Sequence, residues 1–139
     1  GQVVDLECEG KHVDLDTLEF IHLHKTGALL SACVICGALI GGAEEDLIDA
    51  LRIYARGIGL AFQIIDDILD VTASSDVLGK TAGKDLIADK TTYPKLLGLE
   101  ESRRRAELLV SEAKAALEPW TASAAPLLAL ADYITSRDR

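Results

Sequence analysis

The densest functional chemistry in this sequence lies in five consecutive residues, Asp66-Asp67-Ile68-Leu69-Asp70. They follow the apolar run Ile58 to Ile65, whose spacing is helical. At about 100° per residue, Asp66 and Asp70 fall about 40° apart on one helical face with Asp67 beside them, which predicts three carboxylates converging within one turn. A helix ending near Val71 would put them at its C-terminal end, where the macrodipole disfavours negative charge. Something positive must offset that arrangement, and an all-oxygen donor set suits a hard cation such as Mg²⁺. The alternative is a solvated acidic helix end with lysines nearby. A second cluster follows, Gly79-Lys80-Thr81-Ala82-Gly83-Lys84-Asp85 and then Asp89-Lys90-Thr91-Thr92-Tyr93-Pro94. Lysines on a glycine-broken loop can clamp a diphosphate, and glycines let the backbone approach it closely. The run is not a P-loop, because the position five residues before Gly79 is Ser74 rather than glycine.

Other reactive side chains form weaker patterns. His22 and His24, two residues apart on a helix, point to different faces and make a poor metal pair, so they read as surface or core histidines. Cys33 and Cys36 lie about 60° apart on a helix, but no second Cys or His pair completes a zinc site; they read as small buried residues facing a neighbour. Arg103-Arg104-Arg105 reads as a solvated helix stripe.

The elements that must position these groups are helical throughout, since apolar residues recur at helical spacing and strand-like alternation is hard to find. The expected fold is all-α. Gly1 to about Cys8 reads as the end of a helix, stopped by Gly10. Asp16 with Glu19 suggests a capping-box start. Lys25-Thr26-Gly27 marks a break before a wholly buried helix, Ala28 to Ile40, closed by Gly41-Gly42. A long helix runs from Glu44 to about Val71, and Ala73 to Thr92 reads as a functional loop. After Pro94 come a short turn, an amphipathic helix from about Glu101 to Leu117 ended by Pro119, and a last helix from about Ser123 to Ser136. Thr26 to Ala43 is uncharged over 18 residues, the lower limit for a membrane span, but its glycines and lack of an aromatic belt favour a buried helix.

Composition bounds the possibilities further. The 139 residues are 49% hydrophobic and 4% aromatic, enough for a core of Leu, Ile, Val and Ala and too apolar for a disordered tail. The formal charge of −9 argues against non-specific attachment to nucleic acid or anionic membrane. Three cysteines fit a reducing compartment better than a disulfide scaffold. With no methionine, and with Gly1 opening directly into Gln2-Val3-Val4-Asp5-Leu6, the chain reads as a piece of a longer protein.

In their order along the chain, Gly1 to Leu6, His24-Lys25-Thr26-Gly27, Phe62-Gln63-Ile64-Ile65-Asp66-Asp67-Ile68-Leu69-Asp70, the Gly79 to Pro94 loop and Leu130-Ala131-Asp132-Tyr133-Ile134 resemble the trans-isoprenyl diphosphate synthases. The resemblance is to the C-terminal half of that family, nearest its plant and algal geranylgeranyl diphosphate synthases. It implies a helical isoprenoid-synthase bundle in which residues 1–139 are about half of a single domain. It implies condensation of isopentenyl diphosphate with an allylic diphosphate, by Mg²⁺-dependent ionisation, attack and proton loss. By position, Asp66, Asp67 and Asp70 match the family's second aspartate-rich motif, with Asp66 as the direct Mg²⁺ contact. Lys25 and Thr26 match its Lys-Thr pair on the allylic diphosphate, and Gln63 its glutamine near the reacting carbons. Lys80 and Lys90 match the loop lysines, with Lys84 as an alternative to Lys80; Gln2 and Asp5 would line the cavity. The family's first aspartate-rich motif lies upstream of Gly1 in complete members. The resemblance further implies a homodimer, or a heterodimer with a related subunit, and a plastid location with the cytoplasm as alternative. A non-catalytic small subunit of a heteromeric synthase is the competing expectation; such subunits often lose the aspartate motif that is present here.

Overall fold

The computed structural model describes the backbone of residues 1–77 and 90–137, and the side chains of residues 1–72 and 90–137. Among the described residues the architecture is all-α, as expected. The helices are α1 (Gln2–Glu7), α2 (Leu15–His22), α3 (Ala28–Ile40), α4 (Glu45–Val77), α5 (Tyr93–Leu97), α6 (Leu99–Ala116) and α7 (Ala125–Ser136), with a 3-10 turn at Glu118–Trp120. Helix α4 is the axis of the bundle. It spans about 50 Å at 1.5 Å per residue and starts with Glu45 and Asp46 in its first turn, where the helix dipole favours acids. Leu51, Tyr54, Ala55, Ile58, Leu60, Ala61, Ile64, Ile65 and Ile68 are buried along it, spread round several of its faces. Helices α2, α3, α5, α6 and α7 all pack on it. Helix α6 supplies Ala106, Val110 and Ala113, small residues that let the two axes come close. Tyr54 donates its hydroxyl to the Leu127 carbonyl at 2.7 Å and ties α4 to α7; burial pushes the Tyr54 pKa up to about 12, so the hydroxyl stays a donor.

Several details depart from expectation. The cap of α2 is Asp14, whose Oδ1 accepts the Thr17 amide at 2.9 Å; Glu19 instead pairs with Arg105 of α6. Arg105 is therefore a half-buried interhelix link rather than part of a solvated stripe, whereas Arg104 pairs with Glu101 on its own helix. Lys25-Thr26-Gly27 does not break the helix. Leu23–Gly27 forms a π-turn, and the chain continues from α2 into α3 without leaving the helical region. Helix α4 runs to Val77, so Asp70 lies two turns from its end and the expected clash with the C-terminal dipole does not arise. For the same reason residues 73–77 are helical rather than loop; the remainder of the expected loop, 78–89, lies outside the described residues.

The largest departure concerns α3. No residue of it is buried, and Leu29, Leu39 and Ile40 are 67%, 59% and 88% exposed, because among the described residues only one side of α3 has neighbours, chiefly α4. Cys33 and Cys36 are likewise exposed rather than buried. Leu15–Ile40 is long and apolar enough to cross a membrane by length and composition.

Candidate functional site

A polar cleft of about 130 Å³ opens where α1, α2, the π-turn, α4 and the segment before α5 meet. Its walls include Asp5, His22, Lys25, Gln63, Asp66, Asp67, Asp70 and Lys90, with Leu18 and Ile21 as the apolar floor. Helix α4 presents the acids because Ile64, Ile65 and Ile68 bury its inner face, which turns Asp66 and Asp70 outward. The π-turn presents the base: Lys25 leaves the helix towards α1, and its Nζ donates to Asp5 Oδ2 at 2.5 Å. Burial pushes the Asp5 pKa up, but the Lys25 hydrogen bond and the charges of Lys90, Lys25 and His22 outweigh it, and the carboxyl sits below its ordinary value. The site thus holds acids and bases together before any ligand enters.

Each carboxylate of the triplet has a different environment. Asp66 is held from two sides: Gln63, one turn earlier, donates to Oδ2 at 3.1 Å, and Arg137 donates to Oδ1. Arg137 reaches it from the end of α7, donating also to the Phe62 carbonyl at 2.9 Å and stacking its guanidinium 4.1 Å over the Phe62 ring. Asp67 is 5% exposed; its Oδ2 accepts the Tyr93 amide at 3.0 Å and lies 3.2 Å from His22 Nε2. Asp70 is exposed at the cleft. All three line the cleft, yet they do not converge on one point. Among the described residues no three of the His, Cys, Asp and Glu side chains form a closed metal cluster. The physical reason is angular: Asp67 lies about 100° round the helix from Asp66 and is drawn inward by its donors. What remains is an oxygen-only wall, which fits a hard divalent cation that takes its other oxygens from elsewhere.

Of the residues expected at the site, the structure brings together Asp5, Lys25, Gln63, Asp66, Asp67, Asp70 and Lys90. Gln2 is exposed on α1 and Thr26 is half-buried in the π-turn; neither is among the residues that line the cleft. Lys80 and Lys84 lie outside the described residues. Sequence reading missed His22, Arg137 and the Tyr93 amide. His22 had a signal, lying three residues before Lys25 on the same helical stretch. Arg137, 71 residues from its carboxylate partner, had none.

A family model described as polyprenyl synthetase matches residues 1–119. The chain is 59% identical over 140 residues to a chloroplastic geranylgeranyl pyrophosphate synthase from Capsicum annuum, covering 99% of this chain and 38% of that protein. It is 58% identical over 138 residues to a dimethylallyltranstransferase from Fischerella ambigua, covering 99% and 40%. The chain therefore spans about two fifths of the length of these curated relatives. Its structure superposes on an apo crystal structure of an FPP/GFPP synthase from Zymomonas mobilis with a TM-score of 0.76 at 39% identity, over 96% of this chain and 43% of that one. A Helicobacter pylori geranyltransferase complexed with magnesium and isoprenyl diphosphate gives 0.71 at 34% identity, over 96% and 44%.

Proposed function

The chain belongs to the polyprenyl synthetase family, and from that premise we propose that it forms one wall of the active site of a trans-prenyltransferase. Each condensation joins isopentenyl diphosphate to an allylic diphosphate with release of diphosphate and a proton, and successive condensations from dimethylallyl, geranyl or farnesyl diphosphate yield geranylgeranyl diphosphate. The observation that carries the proposal is the cleft itself. Residues 5, 25, 63, 66, 70 and 90, far apart in sequence, meet and bring carboxylates and lysines into one cleft. That pairing suits a diphosphate bridged to a divalent cation.

Asp66 is the carboxylate that would contact Mg²⁺ directly, with Asp67 and Asp70 acting through water or by orienting ligands; the ion's charge, when bound, stabilises the departing diphosphate. Gln63 orients Asp66 through its 3.1 Å hydrogen bond. Lys25 is aimed by Asp5, and exchanges that partner for a diphosphate oxygen on binding. Lys90 lines the same cleft. The Lys-Thr pair adds Thr26 as a hydroxyl donor, and Lys80 and Lys84 complete the clamp. Leu18 and Ile21 line the apolar floor on which the prenyl chain would begin. This reading assigns the substrate's second wall to the part of the curated relatives' length that this chain does not span. The chloroplastic names of relatives support a plastid setting, and one relative named as the large subunit of a heterodimeric synthase supports pairing with a related subunit.

The test is Asp66→Ala in the full-length protein, assayed with Mg²⁺, isopentenyl diphosphate and an allylic diphosphate. Removing one preorganised charge-stabilising group lowers turnover by about 10²–10³-fold. Near-normal turnover refutes the metal assignment, and a full-length wild type that elongates no prenyl diphosphate refutes the function.

A further inference from the structure

His22 lies at the junction of every charged part of the cleft. It ends α2, it is 4% exposed, and the π-turn that carries Lys25 begins at the next residue. Its Nε2 is 3.2 Å from Asp67 Oδ2, and that same oxygen accepts the Tyr93 amide at 3.0 Å. The imidazole stacks on the Tyr93 ring, centroids 5.7 Å apart and planes 14° from parallel. Tyr93 opens α5, three residues after Lys90. One carboxylate oxygen thus ties together α2, α4 and α5. Those three elements deliver Lys25, the acidic triplet and Lys90.

At 5% exposure, Asp67 cannot bring Oδ2, the oxygen that accepts both hydrogen bonds, to a cation in the cleft without leaving a backbone N–H and a ring N–H unpaired in the interior. Asp66 also accepts from Gln63 and Arg137, but with one hydrogen bond on each oxygen and 37% of its side chain exposed it keeps acceptor capacity towards the cleft, and Asp70 is exposed there.

We propose that His22 is a positioning residue of this site: with the Tyr93 amide it makes Asp67 a strut rather than a metal ligand, leaving Asp66 and Asp70 as the carboxylates offered to Mg²⁺. The proposal rests on the functional reading above and divides the labour within its acidic triplet. The strut sets the rotation of α4 about its axis, and hence the direction in which Asp66 and Asp70 point. It also sets the distance between Lys25 and Lys90 across the diphosphate.

The experiment measures Mg²⁺ binding by calorimetry in the full-length protein, with inorganic pyrophosphate present as the diphosphate. Asp67→Asn keeps both contacts: with its amide oxygen where Oδ2 stands, it accepts the Tyr93 N–H and the His22 Nε2–H. Its Mg²⁺ affinity stays within about threefold of wild type, whereas Asp66→Asn and Asp70→Asn lose about tenfold or more. His22→Ala lowers Mg²⁺ affinity by about 10–100-fold, the usual effect of losing an outer partner of a metal site. His22→Gln, which returns an N–H near the Nε2 position, recovers affinity to within about threefold. Should His22→Ala fail to fold, the shape-conserving Asp67→Asn and His22→Gln decide alone. Loss in Asp67→Asn equal to that in Asp66→Asn makes Asp67 a ligand and overturns the strut. A His22→Gln as defective as His22→Ala, or a His22→Gln that does not fold, overturns the positioning role. If Asp66→Asn itself binds Mg²⁺ normally, the metal assignment fails instead of the strut.

Discussion

Gly59→Ala tests how closely the fold and the site are joined. A Cβ at position 59 would stand 2.9 Å from the Gly27 Cα, where α4 passes the end of the π-turn. Carbon atoms in ordinary contact sit about 3.5–4.0 Å apart, so the helix and the turn must separate by about 0.6 Å or more. The atom in the way is backbone, with no side-chain rotamer to relieve it. Overpacking of this kind costs about 1–3 kcal/mol, offset by about 1 kcal/mol of improved helix propensity. The net expectation is a loss of about 0–2 kcal/mol, read from urea midpoints at unchanged m. The consequence for function is specific, because Gly27 is two residues from Lys25. Moving the turn carries the lysine away from the cleft, so the KM for the allylic diphosphate rises. Gly57→Ala is the control. Its Cβ would meet Leu109 O at 3.1 Å and Ala113 Cβ at 3.2 Å, on the α6 side of α4 and away from the cleft. It also destabilises, but leaves that KM unchanged. A Gly59→Ala protein that gains about 1 kcal/mol, as helix propensity alone dictates, with an unaltered KM, refutes the close approach and its link to Lys25.

Tyr54→Phe leaves the Leu127 carbonyl without its 2.7 Å donor and lowers stability by about 1–3 kcal/mol in a denaturant titration; no change would show that the contact does not hold α4 to α7. Arg137→Gln removes the Asp66 pair, the Phe62 carbonyl bond and the ring contact together. It loosens the end of α7, with a loss of about 1–3 kcal/mol and faster amide exchange there, and exchange unchanged along α7 would refute it. The pH dependence follows from Asp5, whose pKa is lowered from 3.8 in the folded state. A lowered carboxylate pKa contributes stability that is fully present above the unfolded value and is lost as pH falls through the folded one. The stability gap between wild type and Asp5→Asn is therefore constant well above pH 3.8 and closes below it; a gap that widens on acidification would contradict the Lys25 pairing.

Local pattern made the helices legible, because 3.6-residue periodicity is written in neighbouring residues and tertiary context does not erase it. Boundaries were less so. Asp14 and Asp16 offer the same capping chemistry, and only the geometry of Thr17 chooses between them. A π-turn at Leu23–Gly27 has no composition signal separating it from a break, since glycine serves both. The apolar, uncharged stretch of α3 read as core, yet apolarity reports only that a surface prefers cover, and among the described residues that surface has none on one side.

The candidate site divides along the same line. That Asp66, Asp67 and Asp70 share a helix turn was legible in the sequence itself, because residue type and helical pitch are local quantities; Lys25 was singled out only by resemblance to a known family. Which of those acids faces the cleft, which is locked by His22, and which is held by an arginine 71 residues away were decided only by tertiary structure. A side chain's partner depends on what the rest of the chain packs beside it, and burial turns the same carboxylate into a strut or a ligand according to the donors it meets there.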